Sequence, residues 1–216
     1  MESNTVSAIF SGGLADSRRL PAEKLSRVPD LIRKAVAQVN ASLSAGRGIE
    51  LEILQMDRFL AQTEDAGSAL RMALMLLTAI RVPCVNEIDD PCSLRIALAV
   101  GPVEFRQKTL RESDGTGIRL ALEAFEKMGK TQRLIIVTPD KKLNSYYRVI
   151  CSFLDNLIQS WSVEQAEALY LSLEGRLQSE ISRILSISQP AVNRRLKAAQ
   201  WNAVEQFIRL YEQTTN

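Results

Sequence analysis

The chain has 216 residues, of which 46% are hydrophobic and 24% charged, and a formal net charge of +2, as is ordinary for a globular protein with a buried core. Because the net charge is so small, any affinity for nucleic acid must come from a local basic patch. The sequence contains no histidine, which excludes a Ser–His catalytic pair and a His-ligated zinc site within these residues.

The three cysteines, Cys84, Cys92 and Cys151, form no CxxC pair. An odd number of cysteines, behind an N-terminus without a basic signal region, predicts reduced thiols in the cytoplasm. The longest apolar run, around residues 73–80, is far shorter than the ~20 residues of a membrane span, so we expect no membrane association.

The first 138 residues alternate between strand-like and helix-like segments. Short or alternating apolar runs predict strands, whereas apolar residues three or four positions apart predict helices. In chain order the predictions are strand 5–10, helix 21–43, strands 49–54 and 58–62, helix 66–80, strand 94–103, helix 116–127 and strand 133–138. This βαββαβ order followed by αβ predicts an α+β fold of the ferredoxin-like type, with one antiparallel sheet and helices on one face.

Beyond Pro139 and Asp140 the pattern is helical only. Apolar residues at 143, 147, 150, 154, 157 and 161 form an a/d seam, which is typical either of a connector helix packed on its own protein or of a dimer-forming helix. We therefore predict an α/β domain over 1–138, a connector helix over 139–161 and an all-α domain over 162–216.

The all-α domain contains a helix-turn-helix pattern. Predicted helices over 177–185 and 189–199 flank a turn of three residues, Ser186-Ile187-Ser188. The hydroxyl of Ser188 is a suitable N-cap, and Pro190 falls in the first helical turn, where its missing N–H costs nothing. Further helices are predicted over 164–173 and 201–211.

The second helix of this pattern has two predicted faces. Ile187, Val192 and Leu196 are expected to fill the core, and the opposite face carries polar and cationic side chains that are suited to base edges and phosphates in a major groove. Arg176, Arg195 and Lys197 are assigned to phosphates. The predicted DNA-binding residues are Gln178, Ser188, Gln189, Pro190, Asn193, Arg194, Arg195 and Lys197. The alternative is a solvated basic helix. The stretch 173–201 also resembles region four of sigma factors, which implies DNA as the ligand.

The segments SAIFSGGLADSRRL (7–20), QMDRFLAQ (55–62), LRIALAVGPV (94–103) and SDGTGIRLALEAFEKM (113–128) together resemble the SatD family. That family pairs a domain similar to class III nucleotidyl cyclases with a C-terminal helix-turn-helix. The resemblance implies a cyclase-like domain over 1–138. In cyclases, an aspartate after the first strand and another in the hairpin hold the divalent metals that orient a nucleoside triphosphate.

The chain departs from that pattern at the metal site. Gly13 stands at the position of the first aspartate, and Met56 replaces the hairpin glycine, although Asp57 remains. One carboxylate with Arg58 beside it is a poor site for a hard cation, and Asp16 is the nearest substitute. We therefore predict no metal, no cofactor and no catalysis, so that the chain is not an enzyme.

The candidate nucleotide-binding residues are Arg18, Asp57, Asp114 and Gly115. Residues 113–117 precede a predicted helix, whose N-terminus either holds a phosphate or is capped by a simple glycine turn. Arg18 and Arg19 either line the same cleft or form a solvated turn.

These observations predict a transcriptional regulator that binds double-stranded DNA as a homodimer. Its inactive cyclase-like domain would serve for dimerisation or for sensing a nucleotide effector. One alternative is a metal-dependent nucleotide cyclase or nucleotidyl-processing enzyme with a DNA-binding appendage. The other is a protein-interaction module.

Overall fold

The computed structural model describes residues 6–44, 46–89 and 92–215. The five strands are β1 (Val6–Leu14), β2 (Glu50–Gln55), β3 (Arg58–Thr63), β4 (Leu94–Pro102) and β5 (Leu134–Val137). The helices before residue 140 are α1 (Ala22–Leu25), α2 (Val28–Ser42), α3 (Ala69–Ala79), α4 (Arg81–Ile88) and α5 (Thr116–Lys127). The later helices are α6 (Lys141–Ser160), α7 (Val163–Leu173), α8 (Gln178–Ile184), α9 (Gln189–Ala198) and α10 (Trp201–Thr215).

The five strands form one mixed sheet in the order β2-β3-β1-β4-β5. β1 lies at its centre, antiparallel to both β3 and β4, with Val6 opposite Pro102 and Leu14 opposite Leu94. β5 pairs with β4 in parallel, so the prediction of a wholly antiparallel sheet is wrong at this edge. The reason is that α5 crosses over between β4 and β5 and returns the chain in the same direction.

Helices cover both faces of the sheet. Ala8 and Phe10 of β1 belong to the large core under α2 and α3, whereas Ile9 points to the other face and packs with Ile118 and Ala121 of α5. The prediction of helices on one face is therefore wrong. β1 and β4 are apolar at successive positions, and such strands need cover on both sides.

The approach of α5 to the sheet depends on two glycines. A Cβ placed on Gly101 of β4 would lie 3.2 Å from Cα of Gly117 in α5, and a Cβ on Gly117 would lie 3.0 Å from the Gly101 carbonyl oxygen. Because neither glycine has a side chain, the backbone of α5 contacts the backbone of β4 directly. α5 therefore packs closely against the centre of the sheet.

Two predicted helices differ from the observed ones in their bounds. The helix predicted over 21–43 is two helices, because Pro29 lies at the start of α2, where proline begins a helix rather than kinking it. The helix predicted over 66–80 continues as α4. The span Ala69–Ile88 is long and apolar enough to cross a membrane, with a mean hydropathy of 1.4, but 67% of its most apolar window is buried inside the protein. Packing in the core accounts for its apolar character.

Cys84 in the middle of α4 and Cys92 before β4 are joined by a disulfide, whereas Cys151 is free and buried. The expectation of three reduced thiols is therefore wrong for one pair. Asp89 has φ 47°, which ends α4 in a left-handed residue and turns the chain towards β4. The cytoplasmic location stays a prediction.

The a/d seam of α6 faces its own protein: Tyr147, Leu154 and Trp161 are buried in the core cluster that also contains Phe10. The other seam positions, Leu143, Ile150 and Leu157, are half-buried against the same cluster, and this packing favours the connector interpretation. Ile181 and Val192 belong to the same cluster. The C-terminal helices therefore share a continuous core with α2 and α3.

Side-chain hydrogen bonds tie the C-terminal helices to the sheet domain. Arg71 of α3 forms an ion pair with Glu212 of α10 at 2.9 Å. The hydroxyl of Tyr211 donates to the carbonyl of Ala66 at 3.1 Å, and the hydroxyl of Tyr170 donates to that of Gln38 at 3.0 Å. α7 and α10 are thereby held on the face formed by α2 and α3.

Candidate functional site

The predicted site residues lie mainly on two surfaces. The first is formed by α8, α9 and the turn between them. α8 ends at Ile184, and Ser186 has φ 53°. The Ser188 hydroxyl accepts from the amide of Ala191, as its predicted N-cap role requires. Val192 and Leu196 are buried and Ile187 is half-buried. The turn and the inner face of α9 are thus held on the core.

The outer face of α9 is exposed. Gln178, Ser188, Gln189, Pro190, Asn193, Arg194 and Lys197 are all solvent-exposed. Arg195 differs, because its side chain is only 26% exposed and lies 3.6 Å from a carboxylate oxygen of Glu167. It also donates to the carbonyl of Glu164 at 3.3 Å. Arg195 therefore links α9 to α7, and its assignment to a phosphate stays a prediction.

The charged side chains of the C-terminal helices fall into two sets, those with a hydrogen-bond or ion-pair partner and those without a carboxylate partner. Every carboxylate of α7, α8 and α10, together with Glu174, has a hydrogen-bond or ion-pair partner. These pairs are Glu164–Ser162, Glu167–Arg195, Glu174–Arg176, Glu180–Leu177 amide, Glu205–Arg209 and Glu212–Arg71. The hydrogen bond from Ser162 is also the main reason why the pKa of Glu164 is lowered. Within the described part of the chain, Arg183, Arg194 and Lys197 have no carboxylate partner.

Trp161, which directly follows α6, fixes the C-terminal end of α9 through a hydrogen bond. The indole N–H of Trp161 donates to the carbonyl of Ala199 at 3.1 Å. Gln200 then has φ 59°, which separates α9 from α10. We call the exposed polar face of α9, with Gln189, Asn193, Arg194 and Lys197, the α9 surface. It is an exposed, cationic helix face, and the opposite face of the same helix packs on the core.

The second surface is a cleft of about 550 Å³ where β1 ends and β4 begins, here called the strand-end cleft. Its cationic lining is Arg18, Arg19, Arg58, Arg95 and Lys130, and its carboxylates are Asp16 and Asp57. Positive charge therefore exceeds negative charge in the cleft. Arg18 and Asp57 line it together, as the sequence predicted, and Arg19 lines the cleft as well.

Two arginines of the strand-end cleft stack on an aromatic ring. The guanidinium carbons of Arg58 and Arg95 lie 5.2 and 5.4 Å from the ring centroid of Phe125. Arg95 also donates to the carbonyl of Met128 at 2.9 Å. Burial, followed by the nearby charges of Arg133 and Arg58, lowers the pKa of Arg95. Such an arrangement holds two cations in place for an anionic ligand.

The residues of this cleft do not fit a pair of divalent cations. Gly13 lies beside Asp57, as the cyclase pattern requires of the two metal-binding positions, but a Cβ on Gly13 would lie 2.7 Å from the Asp57 carbonyl oxygen. The Asp57 carboxylate accepts the Ser17 hydroxyl at 2.5 Å. Among the described residues, no group of three Asp, Glu, His or Cys side chains could hold a metal.

Asp114 and Gly115 lie elsewhere. They precede α5 next to the end of β4, roughly 26 Å from the cleft by the rise of a strand. The carboxylate of Glu104 accepts both the amide and the hydroxyl of Thr116, at 2.6 and 2.7 Å, so it fills the position proposed for a phosphate. Asp114 forms an ion pair with Arg119 at 2.7 Å. These contacts engage Asp114 and Thr116 within the protein, and the assignment of Asp114 and Gly115 to a nucleotide site stays a prediction.

Three charged or aromatic residues line the cleft that the sequence did not predict there: Arg95, Phe125 and Lys130. Arg95 could have been found, because it is the one charge inside the apolar run LRIALAV of β4. Phe125 and Lys130 carried no local signal, since they reach the cleft only through the packing of α5.

No protein-family model matches the chain, and a search of curated proteins finds no significant match. Solved structures of cyclases are similar. The guanylyl cyclase Cya2 is 16% identical, with a TM-score of 0.46, over 61% of this chain and 74% of that chain. The guanylyl cyclase domain of the RhoGC fusion protein from the aquatic fungus Blastocladiella emersonii is 14% identical, with a TM-score of 0.42, over 57% and 76%. The adenylate/guanylate cyclase/hydrolase from Silicibacter pomeroyi is 21% identical, with a TM-score of 0.39, over 57% and 70%.

These comparisons correct one prediction. The prediction that the chain is not an enzyme is contradicted, because the solved structures similar to it are adenylate and guanylate cyclases. That prediction rested on Gly13 at the position of the first aspartate, on Met56 in place of the hairpin glycine and on the positive charge of Arg58. The chain itself has a mixed α+β structure with a five-stranded sheet.

Proposed function

We propose that this chain is a DNA-binding transcriptional regulator in which α8 and α9 form the helix-turn-helix and a cyclase-like domain carries them. One observation supports this most: the cations of the C-terminal helices that lack a carboxylate partner, among the described residues, all lie on α8 or α9. Phosphates of a duplex would supply the missing anions.

The arrangement along α9 suits a major groove. Gln189 and Asn193 lie near the N-terminal end of α9, where helix-turn-helix proteins contact base edges. Arg194 is next to them and can bond guanine through two contacts, while Gln and Asn can do the same with adenine. Gln178 and Gln189 are the first residues of α8 and α9, so both side chains lie at an exposed helix N-terminus.

The proposal extends to the architecture. The order β2-β3-β1-β4 with antiparallel neighbours is that of a ferredoxin-like sheet, to which β5 adds an edge. We propose a SatD-like organisation with a cyclase-like domain over 1–138, a connector over 139–161 and a DNA-binding domain over 162–216. Two copies would read half-sites about 34 Å apart, and the dimer would form outside the buried α6 seam, in the cytoplasm.

Replacing Arg194 with alanine is expected to weaken specific DNA binding by about 1–3 kcal/mol. The reason is that the variant lacks a guanidinium that has no carboxylate partner among the described residues and would contact DNA instead. The matched control is Arg209→Ala, because Arg209 is also exposed but already paired with Glu205 at 3.0 Å. Genomic fragments selected for binding would supply the site, and fluorescence anisotropy would measure the affinity of each variant.

Salt dependence separates DNA from a protein partner. The affinity of the wild type should fall steeply between 50 and 200 mM salt, and Lys197→Gln should reduce the logarithmic salt slope by roughly one. Equal loss in the Arg194 and Arg209 variants would count against the α9 surface. No selectable DNA fragment, with binding that resists salt, would favour a protein-interaction module.

A second candidate function is the binding of a nucleotide in the strand-end cleft. It is favoured by the two guanidinium groups stacked on Phe125 and by the excess of positive charge around the cleft. The nucleoside phosphates would contact Arg58 and Arg95 directly, since the carboxylates do not fit a pair of metals.

The role of Asp57 distinguishes an arginine-based site from a metal site. In the first case, Asp57→Asn removes a repulsive carboxylate and is expected to tighten nucleoside triphosphate binding several-fold, with no change on adding EDTA. Arg58→Gln should weaken binding about tenfold. Arg33→Gln, which removes an exposed arginine paired with Asp30, is the control. Calorimetry measures binding, and pyrophosphate release with Mg²⁺ or Mn²⁺ measures turnover. Loss of binding in Asp57→Asn would contradict the arginine-based site.

A further inference from the structure

A third surface lies at the opposite edge of the sheet from β2. An open groove of about 370 Å³ separates α5 from α6 beside β5, and we call it the edge groove. Its apolar part is formed by Ala124 of α5 and by Ile135 and Val137 of β5. Ile135 and Val137 are only half-buried. Its volume lies within the range of small-molecule pockets, roughly 300–1,000 Å³.

The edge groove is not a place for an added β-strand. Side chains of α6 already bond to the amide of Leu134 in β5 and to the amides of the residues that flank this strand. The Asp155 carboxylate accepts from the amides of Arg133 and Leu134 at 2.8 and 2.9 Å, and Asn144 accepts from that of Thr138 at 2.8 Å. Because α6 occupies this edge, the groove favours a small molecule over an extended peptide.

The charge around the edge groove has one sign. Lys127, Lys141 and Arg148 line it, together with Ser145, and no carboxylate does. Lys127 pairs with Glu123, but Lys141 and Arg148 have no carboxylate partner among the residues that the structure describes. Lys141, Ser145 and Arg148 are spaced four and three apart on α6, so they share one face of that helix.

We propose that the edge groove binds a small amphipathic carboxylate. Its apolar chain lies over Ile135 and Val137, and its carboxylate contacts Arg148 and Lys141. An apolar floor with cations on its rim complements such a ligand both in burial and in charge. This site goes beyond the proposed function and does not depend on DNA binding.

The test uses decanoate as the probe and the full chain in calorimetry. The Lys141→Gln/Arg148→Gln double variant is expected to bind decanoate at least about tenfold more weakly than the wild type. Lys142→Gln is the matched control, because Lys142 is exposed on the same helix but outside the groove; its affinity should stay within about twofold of the wild type. Decanol and decyltrimethylammonium should bind at least about tenfold more weakly than decanoate.

Ser145→Trp tests the location, since an indole on this exposed position would fill the groove and should abolish decanoate binding. Circular dichroism checks that each variant is folded. The proposal is overturned if the wild type does not bind decanoate, if decanol binds as well as decanoate, or if neither the double variant nor Ser145→Trp changes the affinity.

Discussion

Replacing Asp155 with alanine is expected to destabilise the protein by about 2–5 kcal/mol, because two backbone amides lose their acceptor in a site closed to water. Asp155 is 7% exposed, and its Oδ1 atom accepts from both Arg133 and Leu134. These amides belong to the start of β5 and have no strand partner on that side. The loss should therefore loosen the attachment of α6 to the sheet edge.

Replacing Asp155 with asparagine keeps the acceptor oxygen and removes the charge, so it should cost less than about 1 kcal/mol. Asn156→Ala on the exposed side of α6 is the control, with an expected change within about 0.5 kcal/mol. Urea unfolding measures all three variants. Equal destabilisation by alanine and asparagine would show that the amide bonds are not what Asp155 contributes.

The pH dependence of the Asp155 variants has a definite sign. Burial raises the pKa of Asp155, although hydrogen bonds from the amides of Arg133 and Leu134 and the charge of Arg133 partly oppose the shift. A raised folded-state pKa means that the stabilising contribution is complete below the ordinary value of about 3.9 and is lost as pH rises through the folded pKa. The asparagine variant should therefore gain stability relative to the wild type as the pH rises from about 4 through the folded-state pKa of Asp155.

The second large effect is expected for Gly12→Val, which should destabilise the protein by at least about 3 kcal/mol. Gly12 of β1 lies directly opposite Phe59 of β3. Three atoms of the Phe59 ring lie within 3.0 Å of the position that a Cβ on Gly12 would take. Because Phe59 is 1% exposed, a side chain at Gly12 must displace a buried aromatic ring from the core.

A double-mutant cycle separates this contact from a general effect on β1. Phe59→Ala alone should cost about 3–5 kcal/mol, but the combination with Gly12→Val should fall short of the sum by about 2 kcal/mol or more, since valine then occupies the vacated space. Gly48→Ala is the control, because the atom nearest to its Cβ would be 3.5 Å away. Additive effects of Gly12→Val and Phe59→Ala would rule out the ring contact as the cause.

Local patterns predicted the bounds and the buried face of α9 well, because each of the signals for this helix acts within a few residues. Ser188 caps α9, Pro190 lies in its first turn, and Val192 and Leu196 are buried as their spacing requires. The predicted helix over 189–199 differs from the observed α9 by one residue. Similarly, the helix predicted over 116–127 has the bounds of α5.

The sequence by itself determined where most helices and strands lie and which face of α9 is polar, since capping and apolar periodicity are properties of short segments. Only the tertiary structure decided which segments meet. It separated Asp114 from Asp57, paired Arg195 with Glu167, joined Cys84 to Cys92 and brought Phe125 beneath two arginines. Each of these outcomes depends on contacts between residues distant in the chain or across a turn, and such contacts arise from packing the whole core at once rather than from any local preference.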